Sequence, residues 1–182
     1  MGKKLYFITG NEGKFLEARS IIDNVEQIDL DLPEIQEIDA RKIIEAKLDE
    51  ALKHNKGEFI VEDTSVYINC LNGLPGPLIK WFLDSLKVEG IADLVGRYDD
   101  GSAVAKTLIG YSDGDSVVFF EGNVKGDIVA PRGENGFGWD KMFLPEGSDK
   151  TFGEMSLEKK NEFSMRKIAF GKLKGYLGER NG

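Results

Sequence analysis

One cysteine, Cys70, and one histidine, His54, are all that 182 residues hold of the two softer metal-ligating types. That excludes an internal disulfide framework, a cysteine-rich zinc site and a histidine-based metal centre. No run of about 18 apolar residues occurs, so no membrane-spanning helix is expected. Met1-Gly2-Lys3-Lys4 leads into a short strand pattern instead of a signal peptide, and Tyr6 stands where a myristoylation signal needs Ser or Thr. Basic residues are in deficit: 24 Lys and Arg against 32 Asp and Glu give a net charge of −8. A broad, sequence-independent nucleic-acid surface needs the opposite balance. The absences together point to a cytoplasmic protein with neither nucleic acid nor membrane as its partner. What remains, 41% hydrophobic and 31% charged residues without repeat or linker, reads as a single domain over residues 1–182 with room for a full core.

The most informative stretch is Phe59-Ile60-Val61-Glu62-Asp63-Thr64-Ser65. Three apolar β-formers run into two adjacent carboxylates, and desolvating an unpaired carboxylate costs several kcal/mol. At the carboxyl end of a strand in an α/β sheet such acids commonly hold a ligand or metal, though the same residues also suit a solvated, capped turn. Leu5-Tyr6-Phe7-Ile8 reads as a first buried strand, followed by the turn Thr9-Gly10-Asn11-Glu12-Gly13 and a helix with Phe15, Ala18, Ile21 and Ile22 at helical spacing. A strand, a glycine-bearing turn and a helix make a natural anion site, with Lys14 beside it. It is not a Walker loop: only two residues separate Gly10 from Gly13, and Phe15 follows the lysine.

Val25 to Leu32 reads as a second strand ended by Pro33, with Glu34 beyond it. Asp39 is placed to cap a helix running to about His54, whose buried stripe is Ile44, Leu48, Ala51 and Leu52. Lys47 lies beside that stripe, where a lysine snorkelling from its edge and a ligand-facing lysine are both open readings. His54 reads as a surface residue at the helix C-terminus. Leu74-Pro75-Gly76-Pro77 is a rigid turn with Pro77 suited to the first turn of the next helix, whose stripe is Ile79, Phe82, Leu83 and Leu86. Lys80 on it is four residues from Asp84, an ordinary exposed pair. A short helix around Ile91 to Val95 follows.

The segments 103–111, 116–121 and 124–129 read as a three-stranded meander with turns at 112–115 and at Gly122-Asn123. Then Gly136-Phe137-Gly138-Trp139-Asp140 alternates aromatics with glycine and ends in a carboxylate. Glycines let backbone approach a flat ligand and the rings offer it a face; two core aromatics in a loop would look the same. Residues 156–163 and 164–177 read as helices carrying Lys159, Lys160, Arg166 and Lys167. The fold class is therefore α/β: a mixed β-sheet flanked by helices, in two lobes with a central active-site cleft.

Thr9-Gly10-Asn11-x-x-Lys14 with Glu17, Leu32-Pro33-Glu34, Val61-Glu62-Asp63-Thr64, Leu74-Pro75-Gly76-Pro77, Phe137-Gly138-Trp139-Asp140, Glu154-Met155 and Glu158-x-Lys160-Asn161 occur in this order over nearly the whole chain. In that combination the sequence resembles the inosine triphosphate pyrophosphatase family, the Ham1-like pyrophosphatases of non-standard purine nucleoside triphosphates. The resemblance implies a homodimer that hydrolyses ITP, dITP and XTP to the monophosphate and pyrophosphate with Mg²⁺. It implies that Thr9, Gly10, Asn11, Lys14, Lys47, Thr64 and Lys80 bind the phosphate end of the substrate. Glu34 and Asp63 would hold magnesium, with Asp63 also the general base and Glu62 either supporting it or meeting the attacking water. Phe137, Gly138 and Trp139 would take the base, while Asp140, Lys160, Met165 and Arg166 would line its edge. Two positions depart from the pattern. Met165 stands where the family usually has histidine, which removes one hydrogen-bond donor and implies looser base selection; Ser65 stands where glycine is common. The alternatives are a pyrophosphatase for other modified nucleotides, a phosphotransferase, which would need a proper phosphate loop, and a non-catalytic nucleotide-binding module, which would be expected to lose Glu34 or Asp63.

Overall fold

The computed structural model describes residues 4–54 and 57–181; the side chain of His54, expected on the surface, falls outside the described residues. The strands hydrogen-bond in the order β2-β1-β3-β5-β6-β7, with β4 on β3. Their ranges are β1 Leu5–Ile8, β2 Val25–Ile28, β3 Glu58–Ile68, β4 Pro75–Gly76, β5 Ser102–Ser112, β6 Val117–Ile128 and β7 Phe143–Pro145. The helices are α1 Glu12–Arg19, α2 Ala40–His54, α3 Ile79–Val95, α4 Leu157–Asn161 and α5 Met165–Asn181. β1 is parallel to β2 and β3, whereas β4 and β7 run antiparallel to their neighbours. This is the mixed, helix-flanked sheet that the residue pattern called for.

The chain divides into two compact units, one of Met1–Asp63, Thr107–Gly122 and Arg166–Gly182, the other of Thr64–Lys106 and Asn123–Met165. In the first unit, the strand period of two assigns residues to two cores. Phe59 and Val61 of β3 join Ile8 and the α2 residues Ile44, Leu48 and Ala51. Ile60 joins Phe7, Ala18 of α1, and Ala169, Phe170 and Leu173 of α5. Strands covered on both faces read as near-continuous apolar runs, and these do. Asp39 caps α2 as its sequence suggests, Oδ1 accepting from Arg41 N–H at 2.9 Å, and Asn11 caps α1, Oδ1 accepting from Lys14 N–H at 3.0 Å. α2 comes close to β5 because position 110 is glycine; a methyl group there would collide with Ile44. The second unit has one core, in which Ile79, Ile91 and Val95 of α3 meet Val66, Ala105, Phe143 and Phe152.

Four expectations change. β3 does not end at its acids but runs eleven residues through them to Ile68, in keeping with an extended reading of Val66 to Ile68; the β1–β3 register ends at Phe7↔Ile60, before Asp63. β2 stops at Ile28, short of Leu32, because Asp29 and Asp31 are exposed, while Leu30 and Leu32 still reach the α2 core. β6 passes straight through Gly122-Asn123, so there is one hairpin turn, at Asp113-Gly114, where Asp113 Oδ1 accepts from the amides of Asp115 and Ser116. The predicted meander is thus two long strands. α3 starts after Leu78, so Pro77 precedes it, while its break at Lys87 (φ 60°, ψ 174°) leaves the expected second helical piece around residues 91–95.

Candidate active site

β3's alternation continues past Val61 and sends its two acids to opposite faces. Glu62 follows Ile60 toward α1 and α5; Asp63 follows Val61 toward α2. On the α1/α5 face the charges are closed in. Glu62 is 4% exposed and Arg166, the first-turn residue of α5, 1% exposed. Arg166 Nε and Nη2 donate to the two Glu62 oxygens at 2.9 and 3.0 Å, and Nη1 donates to Glu17 Oε2 at 2.5 Å. Lys14 Nζ lies 3.0 Å from Glu62 Oε1. Burial alone would raise the Glu62 carboxyl, but the charges of Arg166 and Lys14 outweigh it and hold it down at about 2. Burial likewise opposes the Arg166 charge, and Glu62 and Glu17 more than offset it, raising its pKa. The two acids and two bases form a compensated, bidentate network.

On the α2 face the arrangement is open. Lys47 of α2 is half-buried and its ammonium is pushed down, by burial first and by the charge of Lys14 next; Asp63, Glu34 and Glu62 oppose the shift. The same three acids and Lys14 therefore bear on one lysine. Glu34 is exposed in the segment after β2, and Asp63 is half-buried. Among the described residues no cluster of three or more Asp, Glu, His or Cys forms a ready-made metal cage. Two carboxylates with an open side are what Mg²⁺ takes when substrate phosphates complete its oxygen shell, so the donor set fits that ion.

Beside these acids stands the β1–α1 turn. Thr9 Oγ1 accepts from Asn11 N–H at 3.1 Å, and Asn11 in turn caps α1, so the turn is folded by its own side chains. Its backbone is tied to β2 by Thr9 N–H to the Ile28 carbonyl, 3.0 Å, and by Gln27 Nε2 to the Thr9 carbonyl, 2.8 Å. Gly10 and Asn11 are exposed at the start of a helix, where the dipole favours an anion.

The second unit holds the aromatic loop. Lys160 of α4 and Asp140 are a buried pair at 2.7 Å, and Asp140 Oδ2 also accepts from Phe137 N–H at 2.9 Å. Gly136 (φ 76°) makes this possible: the left-handed backbone and the missing side chain let Asp140 lie against it. Lys160 Nζ sits 4.8 Å from the Phe137 ring centroid and 5.3 Å from that of Phe152. Phe137 is half-buried and Gly138 exposed, whereas Trp139 is buried edge-on to Phe143. Met165 is part of the same unit's apolar core, Lys80 is exposed on α3, and Thr64 is half-buried on β3.

The residues expected at the phosphate end that belong to the first unit, Glu34, Lys47, Asp63, Thr9, Gly10, Asn11 and Lys14, thus come together around one turn and one lysine. Of the helical basic residues, Lys159 and Lys167 are solvated and Lys160 and Arg166 are buried, a split that spacing did not reveal. Glu17 belongs to the motif that carries the family resemblance but has no role assigned by it; its place next to Ala18 on the inward side of α1 is a second hint.

Residues 5–176 match the model of the Ham1 family. The chain is 37% identical to an inosine triphosphate pyrophosphatase of Schizosaccharomyces pombe, covering 98% of each. Among solved structures it is similar to the Ham1 protein of Staphylococcus aureus, with a TM-score of 0.85 at 26% identity over 98% of this chain and all of the other. A HAM1 protein from Coxiella burnetii shares the fold, with a TM-score of 0.79 at 22% identity over 98% of this chain and all of that one.

Proposed function

Because the chain belongs to the Ham1 family, we propose that it hydrolyses ITP, dITP and XTP to the nucleoside monophosphate and pyrophosphate, clearing deaminated purines from the nucleotide pool. The observation that carries the reading is the convergence of Asp63, Glu34 and Lys14 on the half-buried Lys47. A triphosphate needs that combination: cations to offset its charge and hard oxygen donors beside them. Lys14, the amides of the Gly10-Asn11 turn, the Thr9 and Thr64 hydroxyls, Lys47 and Lys80 take the phosphates. Glu34 and Asp63 would hold Mg²⁺, which would polarise the phosphate and lower the pKa of its water. Asp63 accepts the proton of the water that attacks the α-phosphorus, and pyrophosphate leaves. Glu62 is assigned to holding Lys14, which it already pairs with.

For the base, Phe137 supplies an aromatic face beside the backbone of Gly138, Trp139 packs in the core against Phe143 and Phe152, and Asp140 and Lys160 supply an acceptor and a donor. Donors aimed at O6 accept inosine or xanthosine and are left unpaired by the adenine amino group, which discriminates by on the order of 10⁴-fold. Arg166 enters through Glu62 and Glu17, which it positions; for it to read the base edge, one of those bonds must open. Met165 contributes apolar packing and no donor. The family match over residues 5–176 supports one catalytic domain, and we further propose a cytoplasmic homodimer; among the described residues no helix is long and apolar enough to cross a membrane.

The test offers purified protein and Mg²⁺ the triphosphates ITP, dITP, XTP, GTP, ATP and TTP and resolves the products. Monophosphate and pyrophosphate from the first three are expected, with none after chelation of the metal. Orthophosphate release, or ATP turned over as fast as ITP, overturns the proposal. Size-exclusion chromatography with light scattering checks the dimer.

A further inference from the structure

A carboxylate with no assigned role lies against the phosphate turn. The parallel register runs from Leu5↔Val25 to Ile8↔Ile28, and the Thr9–Ile28 hydrogen bond carries the pairing one step further. The next residue of that chain, Asp29, is thereby brought level with the turn. A Cβ built on Gly10 would stand 3.0 Å from Asp29 Oδ1 and 3.8 Å from Oδ2, so the carboxylate touches the glycine face of the turn. Asp29 is exposed, and its side chain has no hydrogen bond or ion pair with any described residue. Of the other acids near the turn, Glu62 pairs with Lys14 and Arg166, Glu34 and Asp63 act on Lys47, and Glu12 is an exposed residue of the α1 first turn. Asp29 is the acid from a neighbouring strand whose carboxylate lies against Gly10, and it sets its negative charge where the helix dipole and Lys14 collect an anion.

We infer that Asp29 is a specificity-determining residue for the phosphate end of the substrate. It weakens the turn's hold on free polyphosphate, and does so less for polyphosphate whose charge a divalent cation has partly neutralised. The turn then prefers the metal complex on entry and loses its grip on pyrophosphate once the cation departs. The inference rests on the reading of the turn as a phosphate site.

The experiment measures binding of inorganic pyrophosphate to the full chain by titration calorimetry, in Mg²⁺ and in EDTA. Asp29→Asn binds free pyrophosphate about fivefold more tightly than the parent, the order expected for one unit charge at contact range in a water-exposed site. The gain falls to about twofold with Mg²⁺ and shrinks as salt is raised, because exposed charges are screened. Asp127→Asn, an exposed carboxylate of the second unit, changes neither affinity. Free pyrophosphate bound no better by Asp29→Asn, or a gain insensitive to both Mg²⁺ and salt, overturns the inference; a lower Tm with unchanged binding marks Asp29 as a helix-terminus anion and overturns it equally. Lys14→Ala separates the two levels. If it weakens pyrophosphate binding while Asp29→Asn is inert, only the inference falls; if both are inert, the phosphate reading of the turn falls with it.

Discussion

The two faces of β3 received the same raw material, one carboxylate each from adjacent positions, and the first unit uses them in opposite ways. On the α1/α5 face Glu62 is sealed in, bound bidentately by Arg166 and touched by Lys14. On the α2 face Asp63 remains half-exposed beside a lysine whose charge is strained by burial. Breaking a buried pair costs far more than the pair's net contribution to stability, because the survivor is left charged in a poor solvent. The closed face is therefore a commitment of the fold, and the less buried one is where the proposed function puts its ligand. Neighbours in sequence are strangers in function when a strand separates them.

The largest effect that tests this contrast belongs to Asp63→Asn. It is expected to lower kcat by about 10²–10⁴-fold, the range for losing a positioned base, with the Tm unchanged. Substantial residual turnover, or a collapse of stability, would erase the difference between the faces. Glu62→Gln is the mirror experiment: denaturant unfolding is expected to show a loss of about 3–5 kcal/mol, as for one partner of a buried pair. The same variant sharpens the pH behaviour. Because the Glu62 carboxyl is held at about 2, below its ordinary 4.5, the stability it contributes is complete above about pH 5 and lost as pH falls toward 2. Acid unfolding curves of the parent and Glu62→Gln are expected to converge in that window and separate above it.

The aromatic loop of the second unit extends the contrast. Asp140→Asn keeps an acceptor for either Phe137 N–H or Lys160 but removes the charge, so a loss of about 1.5–3 kcal/mol is expected. The KM for ITP should rise while the affinity for pyrophosphate stays put; a parallel loss of both would mean that Asp140 serves the phosphates. The smallest effect lies on the outside of α5, the helix that delivers Arg166. Gly171, Gly175 and Gly178 have open space where a methyl group would go. Each Gly→Ala change is expected to add about 0.5–1 kcal/mol in thermal unfolding without altering activity, since the inward residues and not helix propensity seat this helix.

Much of this was visible in the residues. The α2 stripe and its Asp39 cap, the Asn11 turn, and the apolar run into Glu62-Asp63 each obey one local rule, so pattern alone placed them. Pairing across long separations was not visible: spacing says nothing about Arg166 meeting Glu62 and Glu17, which lie 104 and 149 residues away. Gly122-Asn123 misled for a related reason. The dipeptide suits a turn, but the neighbouring strands extend the ladder through it, and tertiary pairing overrides the local preference. Lys160 and Lys159 differ only in which side of α4 they occupy, a choice made by Asp140 on another segment.

The separation between Arg166 and its carboxylates also governs when the first unit can form. During synthesis the N-terminal βα elements emerge first, yet Glu17 and Glu62 have no guanidinium to close on until the chain reaches position 166. Burying them earlier would leave Glu17 without its Arg166 bond and Glu62 with Lys14 in place of two cations. The unit assembled from residues 1–63, 107–122 and 166–182 thus closes only once α5 is available, as a high-contact-order event. A nascent chain stalled short of α5 is therefore the state most exposed to chaperones and proteases.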